Sequence, residues 1–490
     1  MTITWLRHLQ PSWDTSPARP APFLARRRGI LAGGAALAAA LGGCVPPDQE
    51  PPGTTPPAEL AADAQPPAPA AESALTQLRQ GADPVIAGQA LDGTLLRRLY
   101  APRGFEPLWD GQAARAEALA AAVMRAADHG LLPERVGGAL LPRLAQFAPL
   151  ERELLLSHAV LTYAGALAGG AMPPARRRDA EALLVEPADA PAALLAALDS
   201  DDPVAVIEDL APRNTEYEAL RQVLRRDRDT GRTDPEMVER QRLLAVNLER
   251  QRWLPRRMPA DRVWVNITDQ TLVLFRDDQP VFTTRVVVGA EVAPMQSPEF
   301  HTTINAAFLN PPWIIPDDIL RRSILPRAQA DPGYLARRNI TLAPDGEAEQ
   351  AAGPDSALGA IMFDMPNRFD VYLHDTPERN IFELPNRRIS NGCIRVENPL
   401  QLAALLMEAP LEEIEAKVAT GETREEAVPR PIPVFLVYQT AFVSPGHVLD
   451  LRPDFYGRDA AIWQALQPRT AQPAEPAGRP RRQAAPARRA

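Results

Sequence analysis

The hydrophobic period of this chain changes once, at Arg262, from helical to strand spacing, which limits the fold to a helical half followed by a strand-rich half. From about Ala74 to Arg250 apolar residues recur at helical intervals, as in Leu91 to Tyr100 and Ala114 to Leu119. Leu154 to Met172 is almost wholly apolar, but Ser157, His158, Thr162 and Tyr163 interrupt it and Gly169-Gly170 and Pro173-Pro174 close it. That pattern predicts a central buried helix rather than a membrane span, with His158 a hydrogen-bonded core residue. Thr233-Asp234-Pro235 opens another helix, a capping side chain before Pro at the first turn, with Met237, Leu244 and Leu248 on its buried stripe. After Arg262, Val263 to Ile267, Leu272 to Phe275, Phe282 to Val288, Phe369 to His374 and Val434 to Tyr438 read as strands, with a further neighbour beyond Gly446. The class is α+β, the second half mostly antiparallel. It carries an irregular insertion, expected to be helical, around Pro312 to Asn339 and a helix from Leu400 to Lys417.

The ends read differently. Arg26-Arg27-Arg28, an apolar run and Leu41-Gly42-Gly43-Cys44 describe an export signal over residues 1–44, and Arg27-Arg28 also fits the twin-arginine pattern. Residues 45–72 are rich in Pro and Ala and cannot bury a core, so they read as a tether. The 461–490 tail is again Pro/Ala-rich and carries Arg479, Arg481, Arg482, Arg488 and Arg489. It reads as solvated chain, with an electrostatic contact to anionic envelope polymers as the sharper alternative. The net charge of -9 argues against a nucleic-acid partner.

The chain has only two cysteines, Cys44 and Cys393. Leu-Gly-Gly-Cys resembles the bacterial lipoprotein box, which would make Cys44 the lipid attachment point. Val45 rather than Asp follows, pointing to the outer membrane by analogy with lipoprotein sorting. Lipidation would leave Cys393 without a disulfide partner, and a lone thiol in an oxidising compartment needs a reason to exist. Cys393 lies in Ser390-Asn391-Gly392-Cys393-Ile394-Arg395, with His374 nineteen residues upstream. A thiol becomes a good nucleophile when a base or positive field favours the thiolate, and His374 is the natural base. Gly392 lets the backbone bend, and the N–H groups of Gly392 and Cys393 are candidate oxyanion donors. Ser390 is expected to fix the loop or bond to His374. Arg395 is expected to stabilise the thiolate, to grip a substrate carboxylate or to serve a structural ion pair. No ligand cluster for a metal is evident, and no cofactor is expected.

His374-Asp375-Thr376-Pro377, Phe382, Arg387-Arg388 and Ser390 to Val396 together resemble the active-site signature of L,D-transpeptidases. Asn247 to Pro255, Asn310-Pro311-Pro312-Trp313, Tyr438 to Phe442, Tyr100 to Phe105 and Gly130 to Pro133 are similar to the large periplasmic branch. The resemblance implies a helical scaffold domain over 73–250 and a sandwich-like catalytic domain over 251–460, with a capping insertion at about 310–345. It maps Cys393 to the nucleophile, His374 to its base, the Asp375 carbonyl to the group orienting the imidazole, and Gly392 with Cys393 to the oxyanion hole. Arg395, Ser390, Asn391, Tyr372 and Trp313 are the candidate substrate contacts. Two departures stand out: only Arg225 to Glu236 lies where the branch carries a peptidoglycan-binding module, and Ser297-Pro298 stands where Thr-Pro is common.

The implied reaction is ping-pong acyl transfer on peptidoglycan stem peptides, with carbapenems as expected inhibitors and a lipid-anchored periplasmic location. A hydrolase or a protein-anchoring transpeptidase would use the same residues with another acceptor. A non-catalytic wall-binding lipoprotein would need neither Cys393 nor His374.

Overall fold

The computed structural model describes residues 74–186, 188–444 and 448–468; Cys44, the export segment, the 45–72 linker and the arginines of the far C-terminus lie outside them. Within the helical half, Pro149–Gly169 is buried without interruption from Glu153 to Leu161, which makes it the helix around which the others pack. No helix among the described residues is long and apolar enough to cross a membrane. His158 is buried on it, but its Nδ1 has no hydrogen-bond partner among the described residues. Burial alone, against a small opposing pull from Asp92, lowers it to about 4, so it sits as a neutral core imidazole rather than the bonded one expected.

Helix Pro235–Gln251 begins where the Asp234 carboxylate accepts the Met237 N–H at 3.2 Å, a side-chain cap satisfying one orphan donor of the first turn. Only the turn 230–234 separates it from helix Thr215–Asp229. Its last turn anchors the two halves to each other. Asn247 donates to Thr440 Oγ1 at 2.9 Å, and Arg250 ion-pairs with Asp459 at 2.6 Å, with both side chains of that pair buried.

The strand half begins at Arg262, where the period changes. Its main strands are β1 (Arg262–Asn266), β2 (Thr271–Arg276), β3 (Gln279–Gly289), β4 (Phe300–Leu309), β5 (Ile361–Asp364), β6 (Leu373–His374), β7 (Arg388–Ser390), β8 (Ile394–Val396) and β9 (Arg424–Val437). They form one sheet in the order β7-β3-β8-β6-β5-β4-β9-β1-β2, and a further β2–β3 pairing closes it on itself. The layers of the expected sandwich-like domain are therefore one continuous sheet. Most pairings are antiparallel; β6–β8, β1–β9 and β3–β7 are parallel. Alternation on β9 joins the two cores: Val434 and Leu436 pack inside the sheet, while Phe435 and Val437 face the helical half. Each such fully buried apolar side chain contributes about 1.5–3 kcal/mol.

Four expectations need correction. The strand read from Phe369 to His374 is only Leu373–His374, because Asp370 takes a positive φ of 53° and turns the chain just before it. The helix read from Leu400 to Lys417 is two, Pro399–Met407 and Leu411–Ala419, broken where Glu408 adopts φ 55° ahead of Pro410. The insertion fills the whole interval from Asn310 to Ala360 and is not purely helical: strands Trp313–Ile315, Ala348–Gln350 and Ile340–Leu342 form a small sheet beside its helices. Residues 461–468 belong to the body rather than the tail, since helix Asp459–Leu466 buries Ile462, Ala465 and Leu466 in the helical core.

Candidate active site

The parallel pair β6–β8 brings the two halves of the sequence motif together. Leu373 pairs with Ile394 and His374 with Arg395, while the Ile394 N–H donates to the Tyr372 carbonyl at 2.9 Å. Leu373 and Ile394 are fully buried in the core of the sheet, which fixes this register. Cys393 therefore stands just before β8, beside Tyr372, and His374 closes the neighbouring strand.

His374 is wholly buried, and its Nδ1 lies 2.6 Å from the Asp375 carbonyl oxygen. A carbonyl only accepts, so Nδ1 carries the proton and Nε2 of the neutral ring presents its lone pair. Nε2 has no hydrogen-bond partner among the described residues. Asp375 acts here through its main chain; its carboxylate is turned away, accepting the Ala360 N–H at 2.9 Å and Arg379 at 2.8 Å.

Burial pulls His374 down to about 3, helped by the Arg395 charge and opposed by the bond to the Asp375 carbonyl. Burial likewise pushes the Cys393 thiol up to about 12; the Tyr372 N–H and Arg395 oppose this, and Asp370 adds to it. The resting groups are therefore a neutral thiol and a neutral imidazole. The thiol lies 3.7 Å from the Asp370 carbonyl, and Cys393 is 3% exposed.

The loop carrying Cys393 is tied by backbone bonds. Gly392 adopts φ 119°, a conformation L side chains rarely enter. The Ser390 hydroxyl accepts the Gly392 N–H at 3.1 Å and donates to the Cys393 carbonyl at 2.6 Å. This corrects the expectation for Gly392: its N–H is engaged inside the loop and does not face an oxyanion. Of the two roles foreseen for Ser390, the structure shows the loop tie. The Gly392 carbonyl accepts the Ser297 hydroxyl at 2.7 Å.

The candidate substrate contacts separate. Tyr372 and partly exposed Asn391 flank Cys393. Arg395 is 2% exposed and ion-pairs with Glu378 at 2.9 Å, so it acts on Cys393 and His374 through its charge and is not placed to grip a carboxylate. Trp313 is fully buried in the core cluster with Ile319 and Leu320, which corrects its assignment as a contact. Ser297, Tyr456 and Glu378 were not picked out as site residues. Only the Ser297-Pro298 departure hinted at the first, because their partners are remote in sequence. Among the described residues no group of His, Cys, Asp and Glu side chains could hold a metal ion.

A buried Cys–His pair held by a parallel strand pairing on a closed sheet defines a cysteine-centred site, and comparison with known proteins gives its family. The model of the L,D-transpeptidase catalytic domain (YkuD) matches residues 260–425, and that of the scaffold domain matches residues 94–224. A protein of Haemophilus influenzae named "Putative L,D-transpeptidase" is 30% identical over 402 residues, covering 75% of this chain and 78% of the relative. The chain belongs to the L,D-transpeptidase family. Two solved structures overlap weakly, each with a TM-score of 0.20 over 37% of this chain. They are an "Ldtfm-avibactam carbamoyl enzyme" at 11% identity and an "L,D-transpeptidase from Mycobacterium smegmatis" at 12%. The chain spans 49% and 61% of their respective lengths.

Proposed function

We propose that this protein cross-links peptidoglycan stem peptides through a thioester on Cys393. The observation that carries the reading is the His374 Nδ1 bond to the Asp375 carbonyl, which leaves Nε2 a base next to the strand that presents the thiol. In the first half-reaction Sγ attacks the carbonyl of an L-configured stem residue while Nε2 takes the thiol proton. The carbon–nitrogen bond then breaks, and His374 returns the proton to the departing D-amino acid. In the second, the amine of another stem attacks the thioester and loses a proton to Nε2. The carbon–sulfur bond breaks and the thiol is restored.

The reading also takes in export, a lipid anchor on Cys44, an outer-membrane periplasmic location and acylation by carbapenems. Purified protein incubated with tetrapeptide muropeptides, beside Cys393→Ala, tests it by mass spectrometry. Dimers and released D-Ala absent from the variant are expected. Trimmed monomers alone would make it a hydrolase, and products that persist in the variant would remove Cys393 from the chemistry.

A further inference from the structure

Ser297 lies ninety-five residues before Gly392, outside the cysteine motif, and is fully buried. Its hydroxyl accepts the Gly289 N–H at 2.9 Å. A hydroxyl has a single proton, so the one on Ser297 is committed to the Gly392 carbonyl at 2.7 Å. Gly289 permits this approach: a side chain there would overlap the Met295 carbonyl and the Ser297 backbone.

We propose that Ser297 is a positioning residue for acyl transfer, fixing the plane of the Gly392–Cys393 peptide and so the direction in which the Cys393 N–H meets the oxyanion. The inference rests on the acyl-transfer reading above. In a trans peptide the C=O and N–H point to opposite sides, so anchoring the Gly392 oxygen sets the Cys393 N–H. A hydrogen bond to the carbonyl also polarises the peptide and strengthens its N–H as a donor. Ser390 holds the neighbouring Gly392 N–H and Cys393 carbonyl, leaving the segment little freedom to rotate.

The seat of Ser297 is itself braced. Its N–H donates to the Tyr456 hydroxyl at 3.2 Å, and that hydroxyl donates to the Gly289 carbonyl at 2.6 Å. Arg458 donates to the Ser297 carbonyl at 2.8 Å and pairs with Glu299 at 2.9 Å. Glu299 exchanges backbone bonds with Ala180 and Ala182 of the helical half, at 2.7 and 2.8 Å. The scaffold thus holds the segment that holds the cysteine loop.

The test compares full-length wild type, Ser297→Ala and Ser297→Thr in two reactions of the same thiol. One is acylation by a carbapenem, followed by intact mass; the other is alkylation by iodoacetamide, which forms no oxyanion. Ser297→Ala is expected to acylate at least about tenfold more slowly while alkylating within about twofold of wild type. Ser297→Thr, which keeps the hydroxyl, restores acylation. Equal acylation in Ser297→Ala, or a parallel fall in both rates, overturns the proposal. Should Ser297→Ala fail to fold, Tyr456→Phe removes the hydroxyl bracing Ser297 and must give the same split, or the proposal falls. Wild type that alkylates at Cys393 but is not acylated by carbapenem or stem donor overturns the acyl-transfer reading itself.

Discussion

His374 donates its Nδ1–H to the carbonyl of Asp375, the next residue in the chain, at 2.6 Å. The orienting group is main chain, which no substitution of the Asp375 side chain deletes. His374→Ala is expected to lower stem-peptide turnover by about 10²–10⁴-fold, the usual contribution of a positioned base. Asp375→Asn keeps the carbonyl and an acceptor for Ala360, and is expected to cost less than about tenfold in the same assay, well short of the loss when a triad carboxylate is removed. Comparable losses in the two variants would mean that the carboxylate, not the carbonyl, orients the ring.

The neutral resting pair has a pH signature. His374 is pulled from 6.5 to about 3, so the neutral-imidazole contribution to stability is present above about pH 6.5 and is lost as pH falls toward 3. Cys393 is pushed from 9.0 to about 12, so its contribution is present below 9 and is lost as pH rises toward 12. Between those limits the free protein should alkylate through a scarce thiolate, with the rate rising about tenfold per pH unit and no plateau. A plateau extending into acid pH would reveal a preformed thiolate–imidazolium pair.

The Ser390 hydroxyl closes the cysteine loop by bonding Gly392 N–H and the Cys393 carbonyl, and the side chain is fully buried. Ser390→Ala leaves both backbone groups without that partner and is expected to cost about 1–3 kcal/mol of stability by denaturant unfolding. Acyl transfer should fall further than the folded fraction does, because the loop also aims the thiol.

In the scaffold, Glu249 is the hub of a buried cluster. It pairs with Arg252 at 3.0 Å, both fully buried, and accepts the N–H groups of Ala171 and Met172. Glu249→Ala strands the Arg252 charge and should cost about 3–5 kcal/mol, read as a lower denaturation midpoint.

The switch at Arg262 and the residues His374 and Cys393 were legible because they depend on local pattern and a dense motif. What was missed depends on distant partners or on backbone breaks. Phe369 to His374 alternates like a strand, yet the chain bends at Asp370, and only Leu373 and His374 pair, with β8 on one side and β5 on the other. The break near Glu408 did have a signal in Pro410, since Ala409, the residue directly before that proline, is biased out of the helix. Trp313 was a candidate contact within Asn310-Pro311-Pro312-Trp313, a motif that resembles the family; its strand pairing with Gln350, remote in sequence, turns it into core. Ser297 could be noticed in sequence only as a Ser before Pro, since its hydrogen-bond partner Gly392 lies ninety-five residues away.

The central claim is a covalent acyl group on Cys393. Intact-protein mass after brief mixing with a tetrapeptide donor, followed by peptide mapping, measures it directly. The account predicts an adduct equal to the donor less its terminal D-amino acid, located on Cys393, that disappears when an acceptor stem is added. An adduct on another residue, or release of the D-amino acid by Cys393→Ala at the wild-type rate, would contradict it.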